Sequence, residues 1–450
     1  MSFPRYPAYK YSGVEWLGEI PEHWQVKPLK RVAEIQTGLA KGKDVEPEGS
    51  IEVPFLRVAN VQDGFLNLEN IHTIQVREST LPRYLLRAGD VLMNEGGDFD
   101  KLGRGCIWDD AIKPCIHQNH VFAVRPHSVR PSWLNLYTSS MQANAYFISR
   151  SKQSTNLASI SSTNLMDLPV PIASDIETSE IIGFLQLETG KVDALIAEQQ
   201  RLIKLLQEKR QTVITHGVTK GLNPDAPMKN SGVEWFSEVP AHWEVGPLKH
   251  SWSIIDCKHV TAEFVLEGFP LASIREVQGR WVNLSAAKQT TEEFYSALIE
   301  GGRKPEVGDL IFSRNATVGE VAEVAESLPE FAMGQDVVIM KRKGSISSTF
   351  TWFLLRSLAI TRQLDCAMIG STFKRINVEQ IRALMVPCPP TKEQEKIACH
   401  LGKLLQEYES LIDEAKSATD LLQERRSALI SAAVTGQIDV RGLVPAEAAP

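Results

Sequence analysis

Two stretches of the chain carry an apolar stripe at helical spacing, each sustained over about 40 residues. In the later one, a heptad frame places Leu401, Tyr408, Ala415, Leu422 and Leu429 at one seam position. Ile397, Leu404, Leu411, Ala418 and Arg425 fall at the other, so nine of ten are apolar. The earlier stretch gives Leu185, Val192, Gln199, Leu206 and Val213 with Ile181, Glu188, Leu195, Leu202 and Lys209, seven of ten apolar. At about 1.5 Å per residue, each predicts a rod of roughly 60 Å. Thr391 with Gln394, directly after Pro389-Pro390, has the spacing of a capping box, and Ser174 with Glu177 repeats it. Gly183, Gly190 and Gly402 are expected to be close-packing points or kinks. A rod of this kind cannot bury its stripe alone. The other rod is the nearest complementary surface, which predicts an antiparallel coiled coil. Separate packing of each helix on its own domain is the alternative.

Ahead of each rod lies a mixed segment. Val53–Val58, Val121–Val124 and Val337–Met340 read as strands, while Trp133–Phe147 and Thr349–Leu364 read as helical. The expected fold class is α/β (α+β). Mixed domains at 1–173 and 231–390 are each followed by a long helix, 174–220 and 391–436. Residues 221–230 form a Pro/Gly/Asn-rich linker and 437–450 a tail.

This order reflects a tandem repeat. Residues 12–30 and 231–249 are identical at 13 of 19 positions, at an offset of 219. Gly89-Asp90 answers Gly308-Asp309, and Leu205–Arg210 answers Leu421–Arg426 at an offset of 216. Between these landmarks, residues 39–86 and 258–305 show no evident correspondence. A common frame is built twice around middles that differ.

The length of 450 residues agrees with several domains, and 43% hydrophobic with 23% charged residues excludes wholesale disorder. Met1–Tyr11 lacks the apolar core of a signal peptide, and no apolar run approaches the roughly 20 residues of a membrane span. Six cysteines without a C-x-x-C pair read as reduced thiols. A cytoplasmic protein with no membrane association is the expectation. The net charge of −7 argues against a polycation that coats nucleic acid, though not against a local basic groove.

The motifs of catalysis are missing from the sequence. It has no P-loop, no H-E-x-x-H, no G-x-S-x-G and no dinucleotide-type glycine turn. Glu414-Ala415-Lys416 sits mid-heptad, where a solvated face is expected. His117 and His120 have no carboxylate or cysteine at metal spacing, and Asp98/Asp100 have no counterpart in the second copy. No catalytic residue, no metal and no cofactor is expected.

Binding residues stand out more clearly. The loop with Asn94, Lys101 and Arg104 follows a Gly-Asp turn and a short strand, as does the loop with Ser313, Arg314, Asn315 and Thr317. A second matched pair is Ser154, Thr155 and Asn156 against Ser371, Thr372, Lys374 and Arg375. These side chains suit base edges and phosphates. Trp24 and Trp243, at equivalent places, are candidate anchors for a protein partner or else core residues closing their own domains.

The Ser-Gly-Val-Glu-Trp…Pro-x-His-Trp openings, the Pro389-Pro390…Glu393-Gln394…Ile397 helix entry and the Leu-Leu-Gln-Glu-Arg-Arg…Ala-Val-Thr-Gly helix end resemble type I restriction–modification specificity subunits. Thr178, where the second copy has Gln394, departs from the pattern. The resemblance implies two target-recognition domains on an antiparallel coiled coil. It implies a non-catalytic subunit that reads a bipartite, asymmetric site in double-stranded DNA and recruits two modification (methyltransferase) subunits and two restriction subunits. S-adenosylmethionine, ATP and Mg would serve those partners. A coiled-coil adaptor joining two protein ligands without touching DNA is the competing class, slightly favoured by the acidic charge.

Overall fold

In the computed structural model the described residues are 3–40, 49–97, 102–103, 105–153, 158–368 and 375–443. They form two compact units, and the units do not follow the order of the copies. The first comprises residues 1–200 and 417–450, the second 201–416. Both long helices, Asp175–Lys220 and Thr391–Val434, therefore contribute one half to each unit. No helix among the described residues is long and apolar enough to cross a membrane.

In each unit a four-stranded antiparallel sheet repeats the same topology. Its order in the first is Ala33–Thr37, Val121–Pro126, Val91–Asn94, Gly105–Ile107. In the second it is Trp252–Asp256, Val337–Arg342, Leu310–Ser313, Val321–Glu323. The two central strands are buried on both faces, because helices cover one side and a smaller sheet the other. Their runs are accordingly continuous in apolar residues rather than alternating.

The smaller sheets overturn the expectation of unrelated middles. Ser50–Leu56 pairs in parallel with Ile116–His117, and Phe269–Ala272 pairs in parallel with Ala332–Met333. Phe55 and Leu271 hold the same register against Ile116 and Ala332. A short 3₁₀ turn follows each strand, and in each the third residue's side chain reaches back to the N–H of the residue that opens the turn. The Arg57 N–H donates to Asn60 Oδ1 at 2.9 Å, and the Ser273 N–H donates to Glu276 Oε2 at 3.0 Å. At an offset of 216, Pro54/Pro270, Val61/Val277, Gln62/Gln278, Asn67/Asn283 and Leu68/Leu284 are identical. A three-residue slip ahead of this stretch hides the match from comparison at 219. Real divergence is confined to what surrounds it, such as the helix Glu292–Ile299 of the second copy.

The helix entries differ from the expected capping boxes. Ser174 Oγ accepts from the Glu177 N–H at 3.3 Å, but the Glu177 carboxylate turns to His23 Nε2, 2.9 Å away. Gln394 Oε1 accepts from the Ser347 N–H at 3.0 Å and so ties the helix to the domain instead of capping it. His242 Nε2 meets Glu393 Oε2 at 2.8 Å, the equivalent of the His23–Glu177 pair.

The seam also shifts. Leu411 and Arg425 are exposed, while Ile412 is buried. Arg426 Nε donates to Asp193 Oδ1 at 2.8 Å, within the first unit. Leu195 and Leu202 are exposed, and their neighbours Ile196 and Ile203 turn inward. The cause is periodicity. A strict heptad drifts about 20° per repeat against a straight helix, so one row leaves the interface. In the second unit, the end of the first helix (Ile214, Val218) packs with the start of the second (Ile397, Leu401). In the first unit, the start of the first helix (Ile181, Leu185) packs with the end of the second (Ile430, Val434). Both pairings are antiparallel.

Trp24 and Trp243 close these cores. Both are 0% exposed, which corrects their assignment as partner anchors: neither offers surface to a partner. Trp24 meets Trp133 edge-on, with centroids 5.8 Å apart. Trp243 lies against Gly221, where the first helix ends at positive φ.

Candidate nucleic-acid interface

The Gly-Asp turns that precede both candidate loops have a structural cause. Asp90 and Asp309 are buried and accept a turn N–H, from Arg87 at 2.8 Å and Glu306 at 2.9 Å. A cation from the neighbouring strand balances each. Arg125 donates twice to Asp90 at 2.7 Å, and Lys341 lies 3.1 Å from Asp309. Burial pushes the Asp309 carboxyl up from its ordinary range, while the turn N–H and Lys341 oppose that shift. The turn thereby fixes where each central strand begins, and so where its far end delivers the loop.

At that far end the two candidate segments of each unit meet. In the first, Gly96–Gly97 pairs with Ala158–Ser159, and the Ile160 N–H donates to Glu95 O at 2.9 Å. In the second, Asn315 forms a bridge with Arg375, and the Ile376 N–H donates to Arg314 O at 2.9 Å. Segments about 60 residues apart thus become one site in each unit. Lys101, Arg104, Ser154, Thr155, Asn156, Ser371, Thr372 and Lys374 lie outside the described residues.

The remaining candidates divide sharply. Asn94 is buried, and its Nδ2 donates to Val61 O at 3.0 Å. Ser313 is buried, with Oγ donating to Asn315 O at 3.2 Å and lying 3.1 Å from Thr317 Oγ1. Arg314 is only 5% exposed. Its Nη2 is 3.2 Å from His259 Nε2, and its Nε is 3.4 Å from Asp256 Oδ1. These three therefore shape the site from inside, a correction to their assignment as direct readers. A guanidinium covered to this extent offers a base almost no surface. Asn315 and Thr317 are partly exposed and Arg375 is exposed, so these keep surface for a ligand.

Sequence reasoning missed Asp256 and His259, because nothing marks them until the fold brings residue 314 beside them. Asp256, Cys257 and His259 place their ligand atoms within 4.8 Å of one another. The Arg314 guanidinium contacts two of the three, Asp256 and His259, and supplies the positive charge a metal would bring. Burial pushes the Cys257 thiol up, which also disfavours a thiolate ligand. His117 is fully buried, bonded through Nδ1 to Val121 O at 2.7 Å, and burial lowers its pKa. His120 instead pairs with Glu95 at 2.7 Å.

Residues 282–415 match the family described as the type I restriction modification DNA specificity domain. Two relatives from Methanocaldococcus jannaschii extend the likeness to nearly the whole chain. The type I restriction enzyme MjaX specificity subunit is 23% identical over 434 residues, 94% of this chain and 96% of its own length. The MjaVIII specificity subunit is 21% identical over 438 residues, 94% of this chain and 95% of its own. A solved structure concerned with complex assembly and conformational transition of the type I R-M system superposes with a TM-score of 0.67 at 14% identity. It covers 92% of this chain and 98% of its own. The resemblance drawn from the sequence landmarks is borne out by these matches, and the fold is shared with the chain of that type I R-M system structure.

Proposed function

We propose that this chain is the DNA-recognition subunit of a type I restriction–modification complex, each mixed domain reading one half of a bipartite, asymmetric site. The observation that carries this reading is the pairing of a repeated frame with unequal reading loops. The sheets, the Gly-Asp turns and the His–Glu ties at the helix entries recur in both units. The loop around Asn315 and Arg375 differs in every exposed side chain from Glu95–Gly97 and its partner strand. Equal frames present two surfaces in equivalent ways, and unequal loops allow two different half-sites.

The chemistry of modification and cleavage belongs, in this reading, to partner subunits that hold S-adenosylmethionine, ATP and Mg. The long helices offer those partners a place. Leu195, Leu202 and Leu205 of the first helix and Leu411 and Leu421 of the second are exposed large apolar side chains. Such stripes on helices commonly mark interaction surfaces. Near-neutral recognition domains make phosphate contacts sparse, so strong DNA binding is expected only with the modification subunit present.

Mapping methylation in the host genome, with and without this gene, tests the proposal. The expected result is loss of methylation at one motif with two unlike specified halves separated by a fixed unspecified spacer. An unchanged methylation pattern would overturn it and favour the adaptor class.

A further inference from the structure

The turn that opens each copy holds identities that the fold uses only in part. Residues 12–19 read Ser-Gly-Val-Glu-Trp-Leu-Gly-Glu, and 231–238 read Ser-Gly-Val-Glu-Trp-Phe-Ser-Glu. Some of this sameness is structural. Ser12 and Ser231 hydroxyls each accept the N–H two residues on, at 3.1 Å in both copies. Gly13 and Gly232 stand at φ of 80° and 71°, where a side chain is strained. Val14 and Val233 pack against their cores.

Glu15, Glu19, Glu234 and Glu238 have no such explanation. All four are exposed, and among the described residues none makes an ion pair or side-chain hydrogen bond. Trp235 is half-buried yet is not among the side chains packed on the second core, whereas Trp16 packs on the first core, its ring centroid 5.4 Å from that of Tyr146. Neighbouring surface positions did drift apart, as Gly18/Ser237, Glu22/Ala241 and Lys27/Gly246 show. Drift was therefore possible, and the two acidic positions did not drift although, among the described residues, their side chains make no contact that would hold them. In the first unit, Glu15, Trp16 and Glu19 line an open cleft of about 530 Å³ together with Gln437 and Tyr9, whose ring carries the Arg5 guanidinium at 4.9 Å.

We propose that the two turns are twin docking surfaces, each seating one copy of the same protein partner through basic side chains. An indole flanked by two unpaired carboxylates fits a Lys or Arg that lies on the ring face and pairs with the acids. One chain with two equal surfaces fits two copies of one subunit. This rests on the proposed function, in which that subunit is the modification subunit. It moves the tryptophan anchor from the buried Trp24 and Trp243 to Trp16 and Trp235.

The test uses the full chain co-expressed with the modification subunit, and native mass spectrometry to count copies bound. Glu15→Lys with Glu19→Lys should leave one copy, Glu234→Lys with Glu238→Lys should leave one, and all four together none. Trp235→Ala should weaken the second site by roughly tenfold or more while sparing the first. Circular dichroism matching the parent chain establishes that the variants fold. If the parent chain binds two copies and every folded variant also binds two, the docking surfaces are wrong while the proposed function stands. If the parent chain binds no modification subunit, the proposed function falls and the docking proposal with it.

Discussion

At the scale of single residues, the site separates side chains that build from side chains that touch. Arg314 neutralises Asp256 and contacts His259 from a buried position. Arg314→Ala should therefore lower stability by about 1–3 kcal/mol, because Asp256 loses its counter-ion. Arg375→Ala removes an exposed side chain and should leave the melting temperature within a degree or two. It should weaken methylation through the second half-site by about 1–3 kcal/mol if that side chain contacts a base. Thermal melts and methylation mapping on the two variants distinguish the roles. The cysteines offer a second check. Burial pushes the Cys106 and Cys115 thiols up to about 12, so at neutral pH they are protonated and covered. Cys366 and Cys399 are exposed. Titration with a thiol reagent at pH 8 should show these two reacting fast, and the buried thiols only on unfolding.

At the scale of elements, the helices carry glycines of opposite meaning. A Cβ on Gly190 or Gly402 would meet nothing within 4 Å, so neither is a close-packing point. Gly190→Ala and Gly402→Ala should each stabilise the chain by up to about 1 kcal/mol through helix propensity alone. Gly217 is different, since its Cβ would lie 3.0 Å from Leu401 Cδ2 in the packed pair of helices. Gly217→Ala should lower the melting temperature, whereas the other two raise it. Scanning calorimetry of the three variants measures both signs. The outcome Gly217→Ala stabilising as much as Gly190→Ala would refute the close helix contact in the second unit.

At the scale of the whole molecule, each core is completed from a distant part of the chain. The end of the second helix, with Ile430, Ala433 and Val434, joins the core around Trp24. The end of the first helix, with Ile214 and Val218, joins the core around Trp243. A fragment of residues 222–450 keeps the second domain and loses the helix end that covers Trp243. Its own Ile430 and Val434, displayed on a second copy, repeat Ile214 and Val218 at the offset of 216 and can replace them. The fragment should therefore form a closed two-fold dimer, detectable by light scattering. With the modification subunit it should direct methylation to a palindrome of two inverted second half-sites. A monomeric fragment would contradict this exchange of helix ends.

The sequence alone determined the repeat, the two long helices and the positions of both loop pairs. Identity at a fixed offset, heptad spacing and turn residues are all local or nearly local signals. Three matters were decided only by tertiary structure. The seam moved by one residue at Leu195, Leu202, Leu411 and Arg425, because real helices wind nearer 3.6 than 3.5 residues per turn. The middles proved to share a strand, a capped 3₁₀ turn and a parallel pairing, which a three-residue slip had concealed. Trp24, Trp243 and Arg314 turned inward because burial depends on what covers a residue, and their covers come from residues far along the chain. Residue type and spacing state what a side chain can do. Only packing decides whether solvent, a partner or the protein itself stands in front of it.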